Sequence, residues 1–396
     1  MTSDSAGVVG LVLTSQALRG LGYGVAAVQL GVILRLDGLT SGEVGLMLAA
    51  VLVGTLVSSL ALARWGDRVG RRRAYAALYG ALVCSGTVIA LGAPPWLLAV
   101  VAMSGALSVE VIESGPFTTL EQVMLASTGR PRRELVRGFG LYNAVAAGAG
   151  TAGALLGALP ADRRLLGGVL ATVGTAGLVL ATRLPAGVEV PAVLPGLPRT
   201  RMLARSRGPV ARLAGLFAVD SLAGGFVVQA YIGYWLSLRY GATTQTIGVT
   251  FAALGVLQTA SLLAAPVVAT RVGLLRTMVF THLPANLLLA ALPFAPGLPG
   301  AIVLLMARAC LSQMDVPTRQ AYVMALVPEE ERTAAAAVTN TARYLTRPAG
   351  PALAGLILPF GLALPFVIAG VAKTAYDLTL WRIFRSVRLP AEQRSP

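Results

Sequence analysis

The chain contains few of the residues from which metal centres and catalytic sites are usually built. Among its 396 residues there is one histidine, His282, and there are two cysteines, Cys84 and Cys310, each within an apolar stretch. A histidine-based metal cluster and a disulfide framework are therefore excluded. The only lysine is Lys373, and it does not follow a glycine-rich loop of the kind that binds nucleotides. We expect no metal, no other cofactor and no enzymatic activity.

Charged side chains are also scarce. They make up 12% of the chain, whereas apolar residues make up 56%; a typical soluble domain has about twice that charged share. A soluble protein of this length has too little polar surface to cover so many apolar side chains. A bilayer removes this difficulty, because a helix of about 20 apolar residues crosses its hydrocarbon layer. The chain is therefore predicted to lie in a membrane, in contact with lipids.

Apolar runs of that length recur along the whole chain. Because lipid offers no hydrogen-bond partner to an unpaired backbone group, each run is predicted to be helical. The predicted fold class is thus an all-α membrane protein with twelve transmembrane helices. The spans are residues 8–34, 43–63, 74–93, 96–126, 135–159, 164–183, 211–238, 245–269, 274–293, 299–327, 333–358 and 360–384. No cleavable signal peptide is expected, since residues 1–7 lack a basic region.

The net charge of +15 comes almost entirely from arginines that lie between the apolar runs. No aromatic residues alternate with them, so nucleic-acid binding is not predicted. If the N-terminus is cytoplasmic, twenty-two arginines fall in inner loops or the C-terminal tail, and only Arg35, Arg163, Arg164 and Arg239 fall in outer loops. Such an excess is typical of cytoplasmic loops. Both termini are therefore predicted to be cytoplasmic.

The two halves of the chain resemble each other at an offset near 200 residues. The corresponding pairs are Gln29 and Gln229, Gly45 and Gly248, Gly70 and Gly273, and Pro116 and Pro317. Six spans per half make the repeat parallel, with its axis along the membrane normal. The predicted domains are an N-terminal six-helix bundle at 1–183, a basic, proline-rich cytoplasmic linker at 184–209, a C-terminal six-helix bundle at 210–386 and a cytoplasmic tail at 387–396.

A basic motif, RWGDRVGRRR, lies at residues 64–73 between the second and third predicted helices. It resembles the cytoplasmic signature loop of the major facilitator superfamily, G-x-L-a-D-r-x-G-r-k. Ala63 and Trp65 depart from the usual glycine and leucine, and the second half has Thr270 in place of the acid. The matching residues are Asp67, Arg68, Gly70, Arg71 and Arg72. The resemblance implies that this loop is a conformational gate on the inner side; a pure topology signal is the alternative.

The resemblance to the superfamily covers essentially the whole chain. Residues 113–117, 280–284 and 312–320 are similar to a bacterial subfamily of permeases for which we know no dependable substrate. The resemblance implies a multi-pass protein of the bacterial cytoplasmic (inner) membrane. It further implies a monomeric secondary active transporter that binds a small-molecule substrate and works by alternating access.

Twelve charged side chains fall inside the predicted spans and away from the span ends. At such a position each costs about 2.5 kcal/mol or more unless it is paired or hydrated. They are Glu110, Glu113, Glu121, Asp220, Asp315 and Asp377, with Arg19, Arg308, Arg319, Arg343, Arg347 and Lys373. The resemblance implies that the first, fourth, seventh and tenth helices line the central cavity. The predicted substrate and ion pathway therefore consists of Arg19, Glu110, Glu113, Asp220, Asp315 and Arg319.

Helical geometry places Glu110, Glu113 and Glu121 within about 80° of one another, and a buried carboxylate favours its protonated form. Glu110 or Glu113 is therefore hypothesised to exchange a coupling proton. Glu121 is placed near the inner membrane edge, where water can reach it.

The other charged and polar residues in the spans are interpreted one by one. Fixed ion pairs are the alternative to a pathway, and Lys373 with Asp377, one turn apart, is predicted to be one. Arg19 and Asp220 occupy nearly equivalent positions and are hypothesised to face each other. His282 is interpreted as a packing residue.

Prolines and glycines mark places where the helices bend or approach closely. Pro116 and Pro317 are predicted hinges, although ordinary membrane prolines are an equal alternative. Glycines 148, 150, 153 and 157 in the fifth span, and Gly350 and Gly355 in the eleventh, are expected to allow close helix packing. They are similar to a glycine–proline motif of antiporters in the superfamily, but the fifth span lacks the proline.

Three functions remain open at this level. Export of a small organic compound, with coupling to protons as a further hypothesis, is the leading one. Uptake or exchange of a small anionic metabolite is the alternative, with Arg19 and Arg319 as its carboxylate or phosphate partners. A membrane sensor is less favoured, because no segment between the spans is longer than the linker.

Overall fold

The computed structural model describes residues 3–111, 115–126, 132–185, 188–189, 203, 205–328 and 331–387. Within these residues the chain forms sixteen α-helices and no strand. The helices are α1 Ser3–Leu36, α2 Ser41–Val69, α3 Arg71–Ala90, α4 Pro95–Ala102, α5 Pro116–Ala126, α6 Arg132–Leu156, α7 Arg163–Thr182, α8 Arg207–Gly225, α9 Gln229–Tyr240, α10 Thr244–Val272, α11 Leu274–Ala291, α12 Leu298–Ser312, α13 Asp315–Leu326, α14 Arg332–Thr346, α15 Ala349–Ile357 and α16 Leu364–Phe384.

The predicted spans are confirmed as helical, and each corresponds to one helix or to a pair. Eight spans are single helices, and the fourth, seventh, tenth and eleventh are pairs, namely α4 with α5, α8 with α9, α12 with α13 and α14 with α15. Eight helical stretches of the described chain are long and apolar enough to cross a membrane. The predicted ends lie close to the observed ones, and the second helix extends furthest beyond its predicted end, to Val69.

The chain divides into two compact units. Unit 1 consists of residues 1–194 and 228–255, and unit 2 consists of residues 195–227 and 256–396. In unit 1, α9 packs along α1. The domain boundaries expected from the composition of the linker remain a prediction.

Each unit contains the same two helix pairs. In unit 1, α1 packs along α6 and α3 packs along α7, so the first span meets the fifth and the third meets the sixth. In unit 2, α8 packs along α14 and α11 packs along α16, so the seventh span meets the eleventh and the ninth meets the twelfth. Adding six to each span number in unit 1 gives the number of the corresponding span in unit 2. The packing therefore agrees with the parallel repeat expected from the sequence.

Glycine at two corresponding positions has the same backbone conformation. Gly70, between α2 and α3, has φ of +91°, and Gly273, between α10 and α11, has φ of +93°. Side chains other than hydrogen disfavour this region of φ, so glycine is required at both turns. The predicted close packing is observed at Gly153, where an added Cβ atom would lie 2.0 Å from the carbonyl oxygen of Leu21, but not at Gly148, where an added Cβ atom would have nothing within 4 Å.

Candidate functional site

An arginine–glutamate pair is buried in unit 1. Arg19 in α1 and Glu121 in α5 have no exposed surface. Two guanidinium nitrogens donate to the two carboxylate oxygens, and the Nη1–Oε1 distance is 2.5 Å. Such a bidentate, charge-assisted contact is both strong and directional. Glu121 therefore does not lie at a hydrated membrane edge, and that prediction was wrong.

Aromatic side chains complete the surroundings of this pair. Tyr75 donates to Oε1 of Glu121, and Tyr142 donates to Oε2 over 2.5 Å. Tyr79 accepts from the arginine over 2.9 Å. The carboxylate thus receives four hydrogen bonds, and a proton would have to displace one of them. This arrangement fits a fixed structural contact better than a proton-exchange site.

The fourth span is not one continuous helix. Residues 103–111 are not helical, so Glu110 does not share a helical stripe with Glu121 as predicted. Gly105, with φ of +73°, lies in this segment, and Pro116, which has no N–H to donate, begins α5. Glu110 is half-buried. Glu113 lies outside the described residues.

A larger group of charged side chains lies in unit 2, and we call it the unit 2 ion cluster. Its members come from α8, α11, α13 and α16, and each is more than nine-tenths buried. They are Asp220, His282, Asp315, Arg319, Lys373 and Asp377. Three predicted pathway residues are therefore close together in one unit, whereas Arg19 pairs separately in unit 1.

Two cations of the cluster bind two of its carboxylates. Lys373 Nζ lies 2.5 Å from Asp220 Oδ1, and Arg319 Nη1 lies 2.7 Å from Asp315 Oδ2. The same arginine nitrogen is 3.8 Å from Asp220 Oδ2, so Asp220 lies between both cations. The predicted pair of Lys373 with Asp377 was wrong, because the lysine contacts α8 instead of the next turn of its own helix.

His282 is the least expected member of the cluster. Its Nδ1 lies 2.9 Å from Asp377 Oδ1, and its Nε2 lies 3.9 Å from Asp220 Oδ1. Asn286, one turn further along α11, donates to Asp377 Oδ2 over 2.8 Å. The interpretation of His282 as a packing residue was therefore wrong, because its imidazole bridges two carboxylates.

Two half-buried arginines of unit 2 have fewer hydrogen bonds than the arginines described above. The buried Nε atoms of Arg308 and Arg343 have no hydrogen-bond partner among the described residues. Arg308 lies close enough to Asp315 and Asp220 to interact with them electrostatically. Arg343 belongs to α14, whose main chain accepts a hydrogen bond from Ser221, next to Asp220 in α8. These guanidinium groups can offer donors to a further ligand.

The signature loop is held within unit 1 by a residue that the motif does not contain. Glu189 accepts hydrogen bonds from the backbone N–H groups of Arg71, over 2.7 Å, and Arg72, over 3.1 Å. It thereby caps the N-terminus of α3, where a negative charge is favourable. Arg68 is exposed at the end of α2. Asp67 is in the same helix, and its side chain lies outside the described part of the chain.

Both predicted hinge prolines stand beside a helix break. Pro116 is the first residue of α5, and Pro317 lies in the first turn of α13, after α12 ends at Ser312. Proline is tolerated in a first helical turn because the N–H groups there have no partner within the helix. The breaks are observed, and their role as hinges stays a prediction.

Comparisons with known proteins place this geometry in context. The family model described as Major Facilitator Superfamily matches residues 12–351. An uncharacterised membrane protein of Saccharomyces cerevisiae, YJR124C, is 24% identical, covering 95% of this chain and 94% of its own. A bacterial homologue of the human lysosomal transporter Spinster, in an inward-facing and occupied conformation, has a TM-score of 0.77 at 14% identity and covers 98% of this chain and 99% of its own. A D-xylose–proton symporter has a TM-score of 0.73 at 15% identity and covers 96% and 98%.

Proposed function

We propose, from the premise that this chain belongs to the Major Facilitator Superfamily, that it exports a small organic compound in exchange for protons. The superfamily consists of membrane transporters that bind small-molecule substrates, so the chain is a transporter and not an enzyme. Export and proton coupling are the proposed refinements. One protein of similar fold is described as a D-xylose–proton symporter, so this fold is compatible with proton coupling.

The unit 2 ion cluster is the observation that carries this proposal. Its contacts join four helices. Lys373 in α16 binds Asp220 in α8, and His282 in α11 binds Asp377 in α16. Arg319 in α13 lies 3.8 Å from Asp220. Adding a proton to one carboxylate removes a charge that holds two helices together. Protonation therefore changes the relative stability of different helix arrangements, which is what coupling requires.

The remaining predicted pathway residues keep a proposed role. Arg19 and Glu110 are assigned to unit 1, and Asp220, Asp315 and Arg319 to unit 2; Glu113 is proposed from its sequence position alone. The basic loop from Asp67 to Arg72 is proposed as the inner gate. A bacterial inner membrane, cytoplasmic termini and a monomer belong to the same proposal, and the distribution of arginine among the loops supports the cytoplasmic termini.

Flux measurements test the proposal. Purified protein in liposomes is assayed with organic cations, organic anions and neutral apolar compounds, with and without a pH gradient. We expect one class of compound to be driven across the membrane in the direction opposite to proton flow. Asp220→Asn should lose this gradient-driven transport. Asp162→Asn is the matched control, because asparagine also caps the N-terminus of α7. Transport that is identical with and without the gradient for every compound would contradict the proposal.

A second candidate is uptake or exchange of a small anionic metabolite. Arg19 and Arg319 are already bound to carboxylates, whereas Arg308 and Arg343 have buried Nε atoms without a hydrogen-bond partner among the described residues. A carboxylate or phosphate could take up these donors. In the same flux assay, Arg308→Gln would then abolish anion transport and leave the other classes unaffected.

A further inference from the structure

We infer that His282 and Asp377 together form the binding site of the coupling proton. This inference rests on the proposed function and identifies the residues that would carry out its proton exchange. The site differs from Glu110 and Glu113, which the sequence favoured. Its evidence is a set of contacts within unit 2.

Among the residues that the structure describes, no lysine or arginine lies at ion-pair distance from Asp377. Its carboxylate belongs to a fully buried residue, and its partners are His282 Nδ1 at 2.9 Å and Asn286 Nδ2 at 2.8 Å. The two permanent cations of the cluster face elsewhere, since Lys373 binds Asp220 and Arg319 binds Asp315. A buried carboxylate without a cation is costly, and a proton shared with the imidazole removes that cost.

The imidazole can hold this proton in more than one form. Nδ1 lies 3.1 Å from Asn286 Nδ2 as well as 2.9 Å from Asp377, so it can donate to the carboxylate when protonated and accept from the amide when not. Nε2 faces Asp220 Oδ1 at 3.9 Å. The doubly protonated imidazolium therefore has one carboxylate near each nitrogen, and release of either proton leaves a neutral ring that stays within the cluster.

The other ionisable groups around His282 come from four helices. Helix α16 contributes Tyr376, whose ring centroid is 6.0 Å away, besides Lys373 and Asp377. Helix α13 contributes Asp315 and Arg319, which pair with each other, and α12 contributes Arg308, which interacts with Asp315 and Asp220. Asp220 comes from α8. Since Asp220 and Asp315 each have a cation within hydrogen-bond distance, Asp377 is the carboxylate of this group that depends on the proton.

The single histidine makes a direct test possible without knowledge of the cargo. Protein containing ¹⁵N-labelled histidine, purified through a tag that lacks histidine, gives the imidazole signals of His282 alone. We expect these signals, recorded in phosphatidylcholine nanodiscs from about pH 5 to about pH 9, to report a protonated and a neutral form. In Asp377→Asn the ratio of protonated to neutral imidazole at a given pH should fall about tenfold, because the stabilising negative charge is lost.

Two controls keep the test decisive. Asp377→Glu retains a carboxylate and should retain a ratio near that of wild type, which also checks that this position tolerates substitution. Asp162→Asn, in unit 1, should leave the signals unchanged. A wild-type imidazole that stays neutral throughout, or an unchanged ratio in Asp377→Asn, overturns the inference.

Flux separates this inference from the proposed function. If gradient-driven transport occurs in wild type and persists in His282→Gln and Asp377→Asn, the assignment of the proton is overturned while proton coupling stands. If wild type shows no gradient-driven transport of any compound, the proposed function is overturned. A monodisperse elution profile and a cooperative thermal unfolding transition in detergent, both like those of wild type, show that the two variants are folded.

Discussion

Arg35 in α1 donates a hydrogen bond to the backbone carbonyl oxygen of Ser237 in α9 over 2.7 Å, and a second one to the hydroxyl group of the same residue. Ser237 lies in the last turn of α9, where a positive charge is favourable, and its carbonyl oxygen also accepts from the backbone N–H of Gly241 over 3.1 Å. A residue from the first half of the sequence thus caps a helix from the second half within unit 1.

Removing this cap should lower the stability of unit 1. We expect Arg35→Ala to cost about 1 kcal/mol, since the side chain is half-buried and water can replace part of the contact. Ser237→Ala is the matched comparison, because it removes the hydroxyl group and leaves the carbonyl acceptor in place. Thermal unfolding in detergent should therefore show a smaller change for Ser237→Ala. Equal changes in the two variants would contradict the role of the carbonyl contact.

The buried pair in unit 1 should respond very differently to single and double substitution. Glu121 has no exposed surface, so Arg19→Met leaves a buried carboxylate without its cation and should cost about 3–5 kcal/mol. Replacing both residues, as in Arg19→Met with Glu121→Leu, removes the charge as well and should restore much of the loss. The measurement is the unfolding midpoint of Arg19→Met, Glu121→Leu and the double variant, and additive single and double effects would count against a fixed ion pair.

The close approach of α1 and α6 makes Gly153 intolerant of a larger side chain. An added Cβ atom would lie 2.0 Å from the carbonyl oxygen of Leu21, so Gly153→Ala must separate the helices and should cost about 1–3 kcal/mol. Gly148 is the matched control on the same helix, because an added Cβ atom there has nothing within 4 Å. Gly148→Ala should be neutral or stabilising by up to about 1 kcal/mol. Unfolding in detergent distinguishes the two.

The cap at the start of α3 predicts a local effect. Glu189→Ala removes the acceptor of two backbone N–H groups and should destabilise this helix end by about 1 kcal/mol. Faster hydrogen exchange at Arg71 and Arg72 is the expected observation. Glu189→Gln keeps one acceptor oxygen and should show an intermediate rate. Unchanged exchange in the alanine variant would show that the cap does not hold the loop.

The sequence determines the spans well and the contacts between them poorly. The positions of the transmembrane helices follow from the length of the apolar runs alone, and Pro116 indicated the break that precedes α5. The partner of Lys373 does not follow in the same way, because Asp377 is one turn away while Asp220 is 153 residues distant. Only the packing of α8 against α16 decides between them. A lone histidine in an apolar helix resembles a packing residue, and the signal that was missed is Asn286, on the same helix face one turn later.

The composition of the unit 2 ion cluster has a consequence for how the chain is made. Asp220 leaves the ribosome long before Lys373, and each of these side chains opposes partitioning into lipid by about 3 kcal/mol when it lies alone at the centre of a helix. Helix α8 therefore enters the bilayer before the cation that binds Asp220 at 2.5 Å is available, because Lys373 arrives only with α16. Unit 2 cannot finish folding until α16 has been synthesised, and truncation before Lys373 should yield a product that the membrane quality-control proteases remove.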